Sequence, residues 1–293
     1  PTRRSSDLNT REGDKMDLSN KNVIHIKKNG IEYLQFRKLL EYSDIIKHAY
    51  SLGIDKNFRT ARANKENLPK EELEKALKDY ENLGSAVGID IRSMAKPNQN
   101  HTDNIQIINK KVLEDKPDFN LEEYNQTDGL ITNKPGIALG STNADCILIY
   151  IFDPVKKVIA NVHSGWKGTF QKIGEKAAKK MIKEYDCNPQ DLIVCMCPSI
   201  RKCHFEVGEE VAKECKRIFE YTGKINDIME QTSEDKWHID TILINRILFK
   251  NLGLKEENII DSGLCSVCNS DIIHSFRVEK EGYGLATALI ELT

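Results

Sequence analysis

Hydrophobic and polar positions along the chain alternate with two different periods, and these periods predict strands and helices mixed throughout. Apolar residues on both sides of Asn29-Gly30 predict a β-hairpin over residues 23–34, because this dipeptide adopts the positive φ angles of a tight type I′ turn. Residues 69–83 predict a helix, because apolar side chains recur there every three or four positions. Gly84 and Gly88 are expected to interrupt that helix.

The middle of the chain is rich in predicted strands. Asp153-Pro154 lies between two apolar runs and predicts a turn, so the strands on either side are expected to pair antiparallel. A helix is expected to follow Gly168, and another to begin near the N-cap candidate Asp240. No linker interrupts this mixture after residue 20, which favours one α/β or α+β domain over residues 21–293. The predicted strands of this region cover residues 137–139, 147–152, 157–162 and 192–197.

Composition and charge narrow the possible functions. The 293 residues include 43 Lys and Arg against 45 Asp and Glu, a net charge of −2, which argues against a dedicated nucleic-acid binder. The apolar run at residues 146–152 is too short for a membrane helix, which needs about 20 residues, so no membrane span is expected. Residues 1–20 are expected to be a disordered leader or a cloning remnant. Eight cysteines without a secretion signal indicate a reducing compartment, so the cytoplasm is the expected location.

Candidate chemistry centres on Cys146, which opens one predicted strand, and His163, which closes the next. Antiparallel pairing of these strands would bring the thiol and the imidazole together at one sheet edge. Such a pair serves either as a nucleophilic thiolate with a histidine base or as part of a metal site. His101, in a polar loop, would complete an open zinc site of the catalytic type. The alternative for all three is a structural role, as a buried thiol and ordinary histidines.

The segment after His163, Ser-Gly-Trp-Lys-Gly, indicates a tight backbone path into a helix. A helix N-terminus near Gly168 would offer free N–H groups to an anion such as phosphate. Lys167 is either an anion partner or a solvated charge, and Trp166 either stacks on a ligand or packs in the core. These alternatives stay open from the residues alone.

Three motifs in order resemble those of the bacterial laccase-domain, or polyphenol oxidoreductase, family. They are Gln99-Asn100-His101, Ala144-Asp145-Cys146 and the turn from His163 to Gly168. The resemblance continues through Pro198-Ser199-Ile200 and the C-terminal segment from Cys265 to Gly284, so it covers most of residues 22–293. The family is regarded as zinc-dependent purine nucleoside phosphorylases with adenosine deaminase activity.

The resemblance implies a fold, a cofactor and a reaction. The fold would be α+β, with mixed sheets packed together and flanked by helices. His101, Cys146 and His163 match the family's zinc ligands and catalytic centre. The partners would be purine nucleosides and phosphate, which react to free base and ribose 1-phosphate. Candidate phosphate-binding groups are Lys167, Gly168 and Arg277.

The sequence departs from the family pattern at three basic positions, one of which is the arginine missing after Gly284, where Leu285 stands. Lys167 replaces an arginine, which keeps the charge but loses the bidentate fork. Leu83 stands where the family has another arginine, and Arg59 or Arg62 are candidates to compensate. These departures put the phosphate and nucleoside contacts in question more than the metal site.

Other functions compete with the phosphorylase hypothesis. A copper oxidase of the laccase type would also use imidazole and thiolate ligands. The chain has only seven histidines and no His-x-His pair, which argues against a multicopper cluster. Copper is nevertheless able to occupy the same three ligands in vitro. A metal-free cysteine hydrolase would use Cys146 and His163, and a non-enzymatic partner protein would keep only the fold. The CxxC at Cys265 and Cys268 supplies half of a structural zinc site, and Cys195, Cys197 and Cys203 are the other cysteines nearby in sequence. Because no second CxxC is present, we expect reduced core thiols, and we likewise expect His204 to be an ordinary histidine.

Overall fold

The computed structural model describes residues 16–60, 68–109 and 124–293 and has an α+β architecture. Residues 1–15 and Arg62 lie outside this described part of the chain. The strands are β1 (Val23–Lys28), β2 (Ile31–Phe36), β3 (Ile46–Ser51), β4 (Met94–Ala95), β5 (Ile105–Ile107), β6 (Gly129–Thr132), β7 (Ala138–Asn143), β8 (Ile147–Asp153), β9 (Val158–Ser164), β10 (Ile193–Met196), β11 (Glu206–Gly208), β12 (Met229–Ser233), β13 (Lys236–Ile239), β14 (Ile259–Asp261) and β15 (Ala286–Leu292). The α-helices are α1 (Arg37–Leu40), α2 (Lys70–Val87), α3 (Trp166–Phe170), α4 (Ile173–Tyr185), α5 (Glu209–Phe219), α6 (Ile225–Ile228), α7 (Thr241–Asn251) and α8 (Phe276–Glu279).

The first sheet has the order β1-β2-β3-β15-β7-β4 and begins with the predicted hairpin. β1 and β2 pair antiparallel around Asn29 and Gly30, whose φ angles of 54° and 77° are those that the type I′ turn requires. The C-terminal strand β15 lies between β3 and β7, so the last residues of the chain are central to this sheet.

The second sheet has the order β14-β10-β8-β9-β6-β5 and contains the site. β8 and β9 pair antiparallel across the Asp153-Pro154 turn, with Ile147 opposite Ser164 and Leu148 opposite His163. This register confirms the prediction that Cys146 and His163 lie at one edge, because Cys146 immediately precedes β8. A third, three-stranded sheet has the order β11-β13-β12.

The two six-stranded sheets pack face to face around a continuous apolar core. Tyr50 and Ile290 from the first sheet and Tyr150 and Cys195 from the second belong to this core. Helix α2 covers the outer face of the first sheet, and α4 and α7 cover that of the second. Helix α5 and the three-stranded sheet form a further apolar cluster beside α7. The expected arrangement of packed sheets flanked by helices is therefore confirmed.

Two helix boundaries differ from the sequence prediction. Helix α2 continues through Gly84 and ends at Gly88, which has a φ of 84°. Gly84 serves close packing, because a Cβ there would lie 2.6 Å from Ile91 Cγ2. The helix expected after Gly168 begins earlier, at Trp166, and Lys172 in the left-handed region (φ 63°) separates α3 from α4.

The N-terminal segment packs on the fold before residue 21. Leu18 is buried, and Asn20 Nδ2 donates to the carbonyl of Ser262 at 2.9 Å. The packed part of the chain thus includes the last residues of the expected leader. Within the described ranges, no helix combines the length and apolar character that crossing a membrane demands.

Candidate metal centre and its cavity

Three side chains that are able to bind a metal converge at the edge of the second sheet. The strand register places Cys146 and His163 side by side, and a loop between β4 and β5 brings His101 to them. The ligand atoms of the three residues all lie within 4.8 Å of one another. The His101 and His163 rings meet edge to face, with centroids 4.9 Å apart. The structure therefore assembles the trio that the sequence predicted.

The turn that presents Cys146 is fixed by Asp145. This residue has a φ of 84°, in the region that favours glycine, so its backbone conformation needs support from elsewhere. Its Oδ1 accepts hydrogen bonds from the hydroxyls of Ser266 and Ser275 at 2.6 and 2.7 Å. Its Oδ2 accepts from the backbone N–H of Arg277 at 2.7 Å. The Cys146 turn is thereby tied to the C-terminal segment.

The buried carboxylate of Asp128 organises both histidines. Its Oδ1 accepts from His163 Nδ1 at 2.8 Å and from the backbone N–H of His101 at 3.1 Å. Its Oδ2 accepts from the backbone N–H and the hydroxyl of Thr102, each at 2.7 Å. Asp128 thus holds His163 in the tautomer that leaves Nε2 free for Cys146 or a metal, and it fixes the loop of His101, whose φ is 57°.

Charges at the centre are strongly coupled. Burial alone lowers the pKa of His163, but the Cys146 thiolate and the Asp128 carboxylate raise it to about 10. Burial raises the pKa of Asp128, yet hydrogen bonds from His163 and Thr102 lower it below its ordinary value. Burial and the charge of His163 lower the pKa of His101, which keeps that imidazole neutral. With a pKa of about 10, His163 carries a proton on Nε2 at neutral pH, and a zinc ion bound by this trio would displace that proton.

Gly165 leaves the space in which the trio meets. A Cβ at this position would lie 2.6 Å from His101 Nδ1 and 3.1 Å from Cys146 Sγ. Gly165 has a φ of −64°, which any residue adopts, so its role is the close approach and not backbone freedom. Gln99 holds the His101 loop against β7. Its side-chain amide donates to the carbonyl of Thr142 at 2.7 Å and accepts from the backbone N–H of Thr142 at 2.8 Å.

The trio opens into a cavity of about 680 Å³ that also contains three cationic side chains. These are Arg59, Lys96 and Arg277, and none of them lies within ion-pair distance of a carboxylate in the described part of the chain. Lys96 is buried, donates to Thr60 Oγ1 at 2.9 Å, and has its pKa lowered to about 8 by burial and by the charge of Arg59. The cavity is therefore suited to an anion.

Aromatic rings form another part of the cavity wall. The rings that line it are those of Trp166, Phe205, Phe276 and Tyr283. Trp166 is half-buried and meets Phe170 edge to face at 5.4 Å, so it packs in the fold and also faces the cavity.

The three residues that the sequence predicts to bind phosphate lie at different places in the structure. Arg277 lines the cavity, and its guanidinium donates to the carbonyls of His204 and Glu206 at 3.0 and 3.2 Å. Lys167 is exposed and Gly168 is buried beneath the turn, and neither belongs to the described cavity wall. Leu83 is fully buried in the apolar cluster under α2, so the departure at this position concerns the core.

Sequence reasoning missed several residues of the centre and its surroundings. Asp128 lies in a polar segment without a motif, and Lys96 precedes the His101 loop without any distinguishing pattern. The CxxC thiols, which the sequence analysis expects to be ordinary, lie in a second cluster of potential ligands together with Cys203 and His204. His204 precedes Cys265 by 61 residues and Cys203 precedes Cys268 by 65, so the fold brings the two halves of this cluster together.

Comparisons with known proteins find a matching family, named relatives and a solved structure with the same fold. A family described as multi-copper polyphenol oxidoreductase laccase matches residues 59–293. The purine nucleoside phosphorylase YlmD of Bacillus subtilis (strain 168) is 27% identical over 218 residues, which cover 73% of this chain and 76% of the relative. The adenosine deaminase RL5 of an unknown prokaryotic organism is 29% identical over 196 residues, which cover 67% and 73%. The Bacillus licheniformis hypothetical protein YfiH shares the fold, with a TM-score of 0.78 at 20% identity over 91% of this chain and 100% of that one.

Proposed function

Since this chain belongs to the multi-copper polyphenol oxidoreductase laccase family, we propose that it is a zinc-dependent purine nucleoside phosphorylase. The proposed reaction converts adenosine or inosine and phosphate to the free base and ribose 1-phosphate. One observation carries this proposal: the His101, Cys146 and His163 trio and three cationic side chains line the same cavity. The activities in the names of the relatives, phosphorylase and deaminase, support an enzyme of this kind.

The donor set fits zinc. Two imidazole nitrogens and one thiolate match a catalytic zinc site, which has three protein ligands and one open position. Asp128 supplies the carboxylate partner that ligating histidines usually have. Zinc bound here would supply Lewis acidity.

Phosphate is proposed to bind at the cationic side of the cavity. Arg277 is held in place by its bonds to two carbonyls, and Lys96 is buried without an acidic partner among the described residues. A phosphate dianion would supply the counter-charge that these side chains lack, in a setting where charged hydrogen bonds are strong. Arg59 adds a third charge, and its guanidinium is fixed by a bond to the carbonyl of Tyr283 at 2.9 Å.

The base is proposed to lie against the aromatic wall. The rings of Trp166, Phe205 and Tyr283 line the cavity and supply apolar aromatic surface of the kind that packs against a purine. The Arg59 guanidinium covers one face of Tyr283, 4.4 Å from the ring centroid. In phosphorolysis a phosphate oxygen bonds to C1′ of the ribose as the bond from C1′ to the base breaks. The base leaves with the electron pair and takes up a proton.

Deamination of adenosine is a second candidate for the same cavity, favoured by the relative named as an adenosine deaminase. Copper oxidase chemistry has less support. The described residues form two groups of three or more potential metal ligands, and neither contains more than two histidines. A multicopper cluster needs more imidazoles than that. A cysteine hydrolase built on Cys146 and His163 would need no metal, which makes it separable by experiment.

Product analysis tests the proposal. The zinc-containing protein is incubated with inosine and separately with adenosine, with and without inorganic phosphate. We expect hypoxanthine, adenine and ribose 1-phosphate only when phosphate is present. Ammonia released from adenosine without phosphate would indicate deamination instead. Release of free ribose by chelator-treated protein would support the metal-free hydrolase and contradict the proposal.

A further inference from the structure

A second cluster of metal-binding side chains lies apart from the cavity. Cys203 and His204 belong to the turn after β10, and Cys265 and Cys268 belong to the loop after β14. Their ligand atoms all lie within 4.8 Å of one another, although the two halves are about sixty residues apart in sequence. Cys265 is buried, His204 is half-buried, and Cys203 and Cys268 are exposed.

Four of the six distances between ligand atoms in this cluster match a tetrahedron around one ion, and the other two lie within 4.8 Å. Zinc bonds of about 2.3 Å to sulfur and about 2.0 Å to nitrogen imply edges of roughly 3.8 Å between two sulfurs and roughly 3.5 Å between sulfur and nitrogen. The Sγ atoms of Cys203 and Cys268 are 4.0 Å apart. His204 Nδ1 lies 3.2, 3.7 and 3.5 Å from the Sγ atoms of Cys203, Cys265 and Cys268. One nitrogen is thus equidistant, within 0.5 Å, from three sulfurs.

The turn of the CxxC is held by Asn269. Its side-chain amide donates to the carbonyl of Cys265 at 2.7 Å, which fixes the backbone between the two thiols of the motif.

The remaining cysteines show what an ordinary thiol looks like in this chain. Cys187, Cys195, Cys197 and Cys215 are all buried in apolar clusters. Two thiols of the second cluster are instead exposed, where packing gives no reason for a cysteine.

We propose that Cys203, His204, Cys265 and Cys268 bind one Zn²⁺ ion in a closed, structural site. All four coordination positions are filled by protein, which distinguishes this site from the open trio in the cavity. The ion would join the turn after β10 to the loop after β14. That junction supports the active centre, because Arg277 donates to the carbonyl of His204 and Ser266 donates to Asp145.

Metal content in variants tests this site separately from the proposed function. The full chain is purified without chelator or added metal, and zinc is measured by mass spectrometry. We expect two zinc ions per chain in the wild type and one in Cys146→Ala, which lacks a ligand of the cavity site. Adding Cys268→Ser to Cys146→Ala should remove the last ion. The matched control adds Cys215→Ala, which removes a buried thiol outside both clusters and should keep one ion.

Cobalt substitution gives a readout that needs no variant at the second site. Cys146→Ala titrated with Co²⁺ should develop strong thiolate-to-cobalt charge transfer and tetrahedral d–d bands, because three thiolates would surround the ion. Zinc should then displace cobalt and abolish the bands. An absence of zinc and of cobalt bands in folded Cys146→Ala would overturn the proposal. So would an unchanged zinc content after Cys268→Ser or Cys203→Ser, or a disulfide between Cys203 and Cys268 in freshly purified protein without zinc.

Discussion

The Asp128 carboxylate accepts a hydrogen bond from His163 Nδ1 at 2.8 Å, and the same carboxylate holds the backbone of the His101 loop. One buried side chain therefore positions two of the three proposed ligands, which come from segments 62 residues apart. The ring of His163 cannot turn without breaking this bond. Asp128 is a positioning residue, since it acts on the metal through the histidines.

Asp128→Asn should weaken zinc binding at the cavity site by about 10- to 100-fold. An amide keeps the shape but accepts hydrogen bonds at only one of its two atoms, so either His163 or Thr102 loses its partner. Zinc affinity is measured by competition with a chromophoric chelator, in a Cys268→Ser background that isolates this site.

Asp153→Asn is the matched control for that prediction. Asp153 is also buried and accepts backbone hydrogen bonds, from Val155 and Lys156 at 2.8 and 2.9 Å, but at the opposite end of the β8–β9 pair. It should keep zinc affinity unchanged, because both bonds go to Oδ1, an acceptor that asparagine retains. Equal zinc affinity in both variants would contradict the role given to Asp128.

Gly165→Ala should cost at least about tenfold in zinc affinity, because its Cβ would lie 2.6 Å from His101 Nδ1. Gly208→Ala is its control. Both glycines precede a helix, with φ and ψ of −64° and 175° at Gly165 and −80° and 175° at Gly208. A Cβ at Gly208 meets nothing within 4 Å. Similar zinc affinities in the two alanine variants would show that the trio does not need the space at Gly165.

Lys96→Met should stabilise the protein at pH 7 and weaken phosphate binding. The pKa of Lys96 is lowered to about 8 by burial and by Arg59, so below pH 8 the fold carries the cost of a buried charge. That cost is of order 3 kcal/mol at most. It falls as pH rises from 8 towards 10.5, because over this range the folded protein has lost the proton and the unfolded chain still binds it. Chemical denaturation at pH 7 and pH 10 measures the difference.

The same variant should raise the KM for phosphate by about tenfold or more, the size expected for loss of a charged hydrogen bond. In the wild type, the KM for phosphate should rise above pH 8 as Lys96 loses its proton. Lys167→Met is the control, since Lys167 is exposed and outside the described cavity wall. If Lys167→Met raises the KM for phosphate and Lys96→Met does not, phosphate binds beside Lys167 and not beside Lys96, which would contradict the proposed phosphate position.

Leu83→Arg should destabilise the protein without improving activity. Leu83 is fully buried among Tyr80, Ile91 and their neighbours, and a charge there has no water and no acidic partner in that apolar cluster. We expect a loss of several kcal/mol, measured by thermal unfolding. Ser85→Arg, on the exposed face of the same helix, should change stability by less than about 0.5 kcal/mol. A gain of phosphorolysis in Leu83→Arg would contradict this placement.

The sequence could predict the strand pair behind Cys146 and His163 because that signal is local. Two apolar runs and one Asp153-Pro154 turn fix the register within twenty residues. His101 was predicted from its place in a polar loop, and the family resemblance supported that choice. Asp128 could not be found, because a buried carboxylate looks like a solvated one until the fold brings its partners to it.

The second cluster shows a different limit. Cys195 and Cys197 precede Cys203 by only eight and six residues, but they lie in the core between the two sheets. The true partners, Cys203 and His204, come one turn later, where the chain leaves β10. The tertiary structure decides which of several cysteines lies next to a distant CxxC. Strand periodicity alone cannot predict that pairing.

The central claim is that phosphate-dependent cleavage of purine nucleosides occurs at the His101, Cys146 and His163 trio. The most direct measurement compares release of hypoxanthine from inosine, with phosphate, by the wild type, Cys146→Ala and Cys215→Ala. We expect the wild type and Cys215→Ala to release the base only with phosphate. We expect Cys146→Ala to lose both the zinc of the cavity site and the phosphorolysis activity. Undiminished phosphorolysis by Cys146→Ala would contradict it.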